Sequence, residues 1–383
     1  MKVQLSNFKF FKFLYFILFF YYFYYFFLFQ VVIVMDSLMQ RYFSMTMFPT
    51  IILMFYNYFL INAMWGLIST PNTNITMFIA VLICVLTLIS SYIELYHSNS
   101  VTRSIMVVLE SWKWPSLIYL FVLIVLYLLS KVVIMPEIVT ISIYVIVLLV
   151  GFYTYYKAHH VVVNGYDLEL ENLSEEIDII HLSDVHYGTF RNQGLLNQVV
   201  NKINKLADQG AELAIISGDL ADGSTCINKE DFQVFKNVKI PIIFTPGNHD
   251  YYPGIENVLK AAEEGGITLL DNNYCTYKDL NIVGLSYSFS DIETLDLDKL
   301  EIDANENNII VYHIPEKWDY FTSLGFDLQL SGHTHGGQFY PANLWVSRFF
   351  PLDKGLFTNN DFGKTSYLSV STGVGTMGPP LRW

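Results

Sequence analysis

Five short polar clusters in the second half of the chain carry residue types that can hold cations and move protons. They are Asp184-Val185-His186, Gly218-Asp219-Leu220-Ala221-Asp222, Gly247-Asn248-His249-Asp250, His313, and Gly332-His333-Thr334-His335-Gly336. Five of the nine histidines fall inside them, which scattered core histidines would not do. Carboxylates supply anionic oxygen, an Asn amide supplies neutral oxygen, and imidazole is either a ligand or a proton carrier. The one-residue gap between Asp184 and His186 lets both side chains of an extended segment aim at one centre. Gly218 allows the backbone at Asp219 to come close, and the two oxygens of that carboxylate can bridge two cations. Asp184, Asp219 and Asn248 with His186, His313, His333 and His335 make a mixed oxygen and nitrogen set. Such a set suits manganese, iron or zinc better than calcium. Seven ligands sharing one bridging carboxylate is the stoichiometry of two divalent metals rather than one.

These clusters need elements to hold them. Residues 177–182, 213–217, 240–245, 309–312 and 328–330 are short apolar runs rich in β-branched residues and read as strands. Further strands are expected at 267–270, 275–277, 282–285 and 367–370. Residues 195–206 have apolar positions at helical spacing, and 231–237 and 255–262 read as shorter helices, the last stopped by Gly265-Gly266. Alternation of strand and helix implies right-handed crossovers and a sheet covered by helices. The five clusters all follow the C-terminal end of an expected strand, where open α/β sheets gather their ligands.

Charge divides the chain. Residues 1–157 carry eight Lys/Arg and four Asp/Glu, while 158–383 carry fourteen against thirty-one, so the first part is +4 and the second −17. An acidic domain of that kind lacks the basic footprint that nucleic-acid binding needs, and it suits multivalent cations. Cys84, Cys226 and Cys275 show no metal-type spacing and read as free thiols.

The first part, 1–157, reads as a transmembrane anchor of four to five helices. Apolar runs at 10–34, 47–68, 75–96, 115–130 and 138–156 approach the roughly 20 residues that cross a bilayer. The first run is low-complexity Phe/Tyr text. It is either a fifth helix or sequence ahead of a later start at Met35, Met45 or Met47. Residues 97–115, with Trp112 and Trp114 beside Lys113, read as an interfacial segment. With the last four helices alone, Arg41, Arg103, Lys113 and Lys157 share the side of the acidic domain against Lys131. Counting the first helix adds Lys2, Lys9 and Lys12 opposite, so the side of the membrane stays open.

Taken in order, the five motifs resemble those of the calcineurin-like metallophosphoesterases over about residues 177–382. With Ser331-Gly332-His333-Thr334-His335-Gly336-Gly337-Gln338 and the closing Gly373-x-Gly375-x-x-Gly378, the chain is similar to the bacterial branch bearing N-terminal transmembrane helices. The resemblance implies a four-layer α/β/β/α sandwich for 158–383. It also implies one metal on Asp184, His186, Asp219 and His335, and a second on Asp219, Asn248, His313 and His333. His249 matches the family's proton donor and Asp222 the acid that orients it.

Function follows as an expectation: a multi-pass, membrane-anchored phosphoric ester hydrolase for a phosphodiester or pyrophosphate. Two metals would clamp the phosphoryl group and generate a bridging hydroxide, with His249 as general acid. Substrate, metal identity and membrane side stay open, and an amphiphilic substrate among membrane lipids is one expectation. The rival is a catalytically weak scaffold or binding module on the same fold, although no ligand position is missing. A transporter is disfavoured because no helix carries paired buried charges. His181 reads as packing, Asp250 as a turn or outer residue, and the acidic run 291–306 as a solvated face. Trp345, Phe349 and Phe350 read first as core and second as an interfacial loop with Arg348 and Lys354.

Overall fold

The computed structural model describes residues 42–130, 132–133, 136–287 and 302–383, and the chain divides into two compact units, Met1–Tyr153 and Thr154–Trp383. Leu-, Ile- and Val-rich text with few charges builds the first unit from long helices: α1 (Phe48–Gly66), α2 (Thr73–Tyr96), α3 (Ser100–Ser111) and α4 (Lys113–Leu129). Helix α5 (Glu137–Ala158) runs across the boundary. Among the described residues, four helical stretches are long and apolar enough to cross a membrane: Phe48–Gly66, Thr73–Tyr96, Ser100–Leu129 and Glu137–Ala158. The run at 10–34 lies outside the described residues, as does Lys131. The expected interfacial segment is largely helix α3, whose start is capped by the Asn99 side chain accepting the N–H groups of Val101 and Thr102. Buried Glu94 is satisfied by the Ser98 and Thr102 hydroxyls and the Asn99 N–H. Trp114 is buried within the unit, and half-buried Trp112 donates from Nε1 to Asn57 Oδ1 at 2.9 Å.

The second unit is two sheets stacked between helices. The first sheet has the order β1 (Ile179–Leu182), β2 (Leu213–Ser217), β3 (Ile242–Thr245), β4 (Thr268–Leu269), all parallel. The second runs β5 (Asn273–Tyr277), β6 (Leu280–Leu285), β7 (Asn307–Tyr312), β8 (Leu328–Ser331), β10 (Ser366–Val370), β9 (Gly355–Asn359). Its four central strands are parallel and both edges, β5 and β9, antiparallel.

Period-two alternation explains the layering. On β2, Leu213 and Ile215 join Ile309 and Val311 of β7 in an aliphatic slab between the sheets. Ala214 and Ile216 of the same strand face the other way, onto Leu196, Val199 and Val200 of helix α6 (Gln193–Ala207) and Val258 of helix α7 (Ile255–Glu264). Ile310 and Tyr312 face outward onto Phe321 of helix α8 (Trp318–Ser323). The unit is therefore helix, sheet, sheet, helix, as expected. Three elements were not foreseen: α8, β9, and helix α9 (Ala342–Phe349). The expected helix at 231–237 is a single 3-10 stretch, Gln233–Asn237.

Candidate metal centre

Parallel strands end on the same edge of their sheet, and the candidate residues hang from those ends. Asp184 and His186 follow β1, Asp219 follows β2, Asn248 and His249 follow β3, His313 follows β7, and His333 and His335 follow β8. Four of the seven candidate ligands therefore come from the first sheet and three from the second. Turning each chain sharply off its strand requires unusual backbone. Asp184, His186, Asp219, His333 and His335 all have positive φ, between 50° and 71°, a conformation that L side chains adopt only when the surroundings dictate it.

The side chains converge. Asp184, His186 and His335 form one group, Asp219, His313 and His333 another, and in each the potential ligand atoms lie within 4.8 Å of one another. His186, Asp219 and His249 form a third such group linking the two. His186 Nε2 faces His335 Nε2 at 2.9 Å, and His335 Nε2 is 3.3 Å from Asp184 Oδ1. His333 Nδ1 lies 3.1 Å from Asn248 Oδ1. His313 is oriented by its Nδ1–H donating to the Ser217 carbonyl at 2.7 Å. That leaves Nε2 3.0 Å from Asp219 Oδ2, close enough for charge but not aligned as a hydrogen bond.

Burial works against charge everywhere in this cluster, and neighbours decide the outcome. At Asp184 and Asp219 it is outweighed by the surrounding histidines, which hold both carboxyls well below their ordinary range. At His313 the Asp219 and Asp184 charges outweigh it and push the ring up to about 10. At His335 burial prevails and takes the ring down to about 3, and at His333, helped by His313, to about 4. The result is two anionic carboxylates beside the neutral rings of His333 and His335, whose lone pairs stay available, while His313 has to give up a proton to bind a metal.

A divalent cation fits this cluster. His313 Nε2, beside Asp219, is buried without a hydrogen-bond partner, a costly condition for nitrogen in a protein interior. Two ring nitrogens face each other 2.9 Å apart with an acidic oxygen beside them, so their lone pairs point at a shared position that only a proton or a cation would relieve. Nitrogen with carboxylate and amide oxygen matches manganese, iron or zinc.

The structure brings together all nine candidate residues, but one of them acts by an unforeseen atom. His249 Nδ1 meets the main-chain carbonyl of Asp222 at 3.1 Å. The Asp222 carboxylate instead accepts from the Ser224 N–H and hydroxyl at 2.7 and 2.6 Å. Asp250, taken from sequence as an outer residue, is a buried clip. Its carboxylate accepts the N–H groups of Asp219, Ala221 and Gly247 at 2.9, 2.8 and 2.8 Å, tying the loops after β2 and β3 together. Arg382 was missed: its guanidinium donates to the carbonyls of Thr372, Gly373 and Gly375, bracing a loop that packs on Asp184 and His335. His181 takes its packing role, its ring between the hydroxyls of Ser217 and Ser369 at 2.8 and 3.1 Å.

Close approach also explains two glycines. A Cβ on Gly247 would stand 2.3 Å from Asp219 Oδ1, and one on Gly332 would stand 2.3 Å from Asp184 Oδ2. Gly247→Ala is therefore expected to push Asp219 aside and to destabilise by about 1–3 kcal/mol, the usual cost of overpacking. Bound metal and melting temperature should both fall. Unchanged metal content would show that the Asp219 loop yields freely.

Comparison with known proteins agrees with this geometry. Residues 177–337 match the calcineurin-like phosphoesterase family. An uncharacterized metallophosphoesterase of Campylobacter jejuni is 30% identical over 57% of this chain and 59% of its own length. One from Aquifex aeolicus is 27% identical over 62% of this chain and 93% of its own. A zebrafish (Danio rerio) transmembrane protein with metallophosphoesterase domain is 26% identical over 56% of this chain and 53% of its own. The chain spans less than two thirds of the Campylobacter relative's length, as of the 58% covered in two Helicobacter pylori relatives. A four-layer unit with a buried His/Asp cluster at the strand ends, matched by this family over its motif-bearing residues, has one reading: the chain carries a calcineurin-like metallophosphoesterase domain over residues 177–337.

Proposed function

We propose that the chain is a membrane-anchored phosphoric ester hydrolase that uses two divalent metals on a phosphodiester or pyrophosphate. The observation that carries this reading is the convergence of donors from both sheets on one buried spot, where the Nε2 atoms of His186 and His335 oppose each other at 2.9 Å and His313 Nε2 lacks a partner. Asp184, His186, Asp219 and His335 would hold one metal, and Asp219, Asn248, His313 and His333 the other. When bound, such a pair supplies Lewis acidity toward phosphoryl oxygens and lowers the pKa of a water molecule.

The chain's own residues supply the rest. His249 carries the proton for the leaving oxygen. Its Nδ1–H can only donate to the Asp222 carbonyl, which leaves Nε2 to exchange protons. The His249 N–H donates to Asp219 Oδ1 at 2.8 Å, so the acid and the shared carboxylate are held in one register. Asp250 locks the loops that carry both. The Phe350 ring stands edge-on to His333 at 5.4 Å, fixing that imidazole and excluding water from its flank.

The substrate is amphiphilic in this reading. Four membrane-length stretches exceed what a tether needs, and α9 presents Leu344, Trp345 and Phe349 to the outside, the last two 67% and 74% exposed. This overturns the expectation that Trp345 and Phe349 are core, while Phe350 does pack partly on the outer cluster. Exposed rings with Arg348 beside them suit a headgroup layer.

The test uses full-length, manganese-saturated protein in vesicles, assayed on a lipid-linked pyrophosphate and on a short-chain water-soluble analogue. Trp345→Ser with Phe349→Ser should lower the ratio of lipid to soluble turnover about tenfold or more, as expected when two large apolar contacts of roughly 1–2 kcal/mol are lost. An unchanged ratio removes the amphiphile. Turnover of neither substrate by metal-saturated protein removes the hydrolase and favours the scaffold.

A further inference from the structure

Beside the ligand His335 lies a cleft of about 170 Å³ whose wall includes Asn343, Lys354, Thr372, Arg382 and Trp383. Its two charged residues are both cationic, in a domain whose residues 158–383 sum to −17. Three buried polar atoms of its wall residues lack a hydrogen-bond partner: Asn343 Oδ1, Arg382 Nε and His335 Nδ1. Such buried atoms are expensive unless something polar meets them. The Asn343 amide can turn by 180° and present its N–H groups to the same spot.

Lys354 is held at the edge of the metal centre. Its stem crosses Gly336, the neighbour of His335: a Cβ there would stand 3.0 Å from Lys354 Cδ. The preceding residue is tied to the ligand loop, because the Thr334 hydroxyl donates to the Asp353 carbonyl. The Asp353 carboxylate is itself occupied by the Ser347 hydroxyl at 2.6 Å. Among the described residues Lys354 makes no ion pair, and it is exposed.

We propose that this cleft is the subsite for a second phosphate of the substrate, adjacent to the phosphoryl group at the metal centre. Lys354 provides the charge, and the Asn343 amide and Arg382 Nε provide the hydrogen bonds. The inference rests on the phosphoesterase reading of the same site and narrows its substrates from simple diesters to phosphoanhydrides. A single phosphate fills only the metal centre. A linked pair reaches His335 and the cations beyond it.

The probes are inorganic phosphate and methylenediphosphonate, a pair of phosphorus groups that cannot be hydrolysed. Each is titrated calorimetrically into full-length, manganese-loaded protein freed of excess metal. Wild type is expected to bind the diphosphonate at least about tenfold more tightly than phosphate, the scale of one charge-assisted contact. Lys354→Ala should collapse that ratio to within about threefold, Asn343→Ala should reduce it in part, and Lys354→Arg should restore it. A ratio that Lys354→Ala leaves unchanged, or no preference in wild type, overturns the subsite alone. Binding of neither anion to the metal-loaded protein overturns the phosphoesterase reading along with it.

Discussion

Asp219→Asn is expected to cost more activity than any other single change among the seven candidate ligands, and to lower the bound metal from the two per chain that the proposed function requires. Asp219 alone belongs both to the group with His313 and His333 and to the group with His186. Its Oδ2 lies 3.0 Å from His313 Nε2 and 3.7 Å from His186 Nε2, so one charge serves both halves of the centre. Asn keeps the shape and can still accept the His249 N–H, so the loop should fold as before. What disappears is the shared negative charge. Loss of an outer hydrogen-bond partner of a metal ligand typically weakens metal binding roughly 10–100-fold, and loss of a shared anionic ligand should exceed that. Elemental analysis and turnover on purified protein decide the matter. Full occupancy with full activity in Asp219→Asn would sink the two-metal assignment.

His249→Ala is expected to retain metal yet lose roughly 10²–10⁴ in turnover, the range for general acid catalysis. The loss should shrink for leaving groups that are already weak bases, such as nitrophenol, because they depart without a proton. The geometry adds a contrast. The ring is oriented by the Asp222 carbonyl, so Asp222→Asn should cost far less than His249→Ala, its effect passing through Ser224 and through the loss of a charge that acts on His186. His249 also lies within ligand reach of His186 and Asp219. A fall in metal content in His249→Ala, with equal losses on good and poor leaving groups, would make it a ligand rather than a proton donor.

Much of this site was legible in the sequence because its chemistry sits on side chains of distinctive type, each just past an apolar run. The run before each cluster marks a strand, and alternation along β2 and β7 separates the inner face from the outer. What escaped the sequence is carried by backbone or by tertiary position. The contact of His249 with Asp222 uses a main-chain carbonyl that any residue would supply. Positive φ at Asp184, His186 and Asp219 is imposed by the packed loops and has no marker in non-glycine residues. Asp250 looked like a turn residue because its three donors are main-chain N–H groups, two of them from a loop near thirty positions away in the chain. Strand β9 had no strand reading in the sequence. It is a short antiparallel edge whose pairing partner, β10, decides its conformation.

The aliphatic slab between the sheets has a consequence for the metals. Ile215 of β2, Ile309 of β7 and Leu330 of β8 are buried in it, and each lies a few residues before a candidate ligand. Hydrocarbon thickness thus acts as the spacer of a calliper, whose two jaws carry the donors of one sheet and of the other. Trimming a methyl group deep in the slab would let the jaws close slightly, without touching any coordinating atom. Preference between manganese and the smaller zinc would then drift with mutations that look purely structural, and the choice of metal would be written as much in Ile and Leu as in His and Asp.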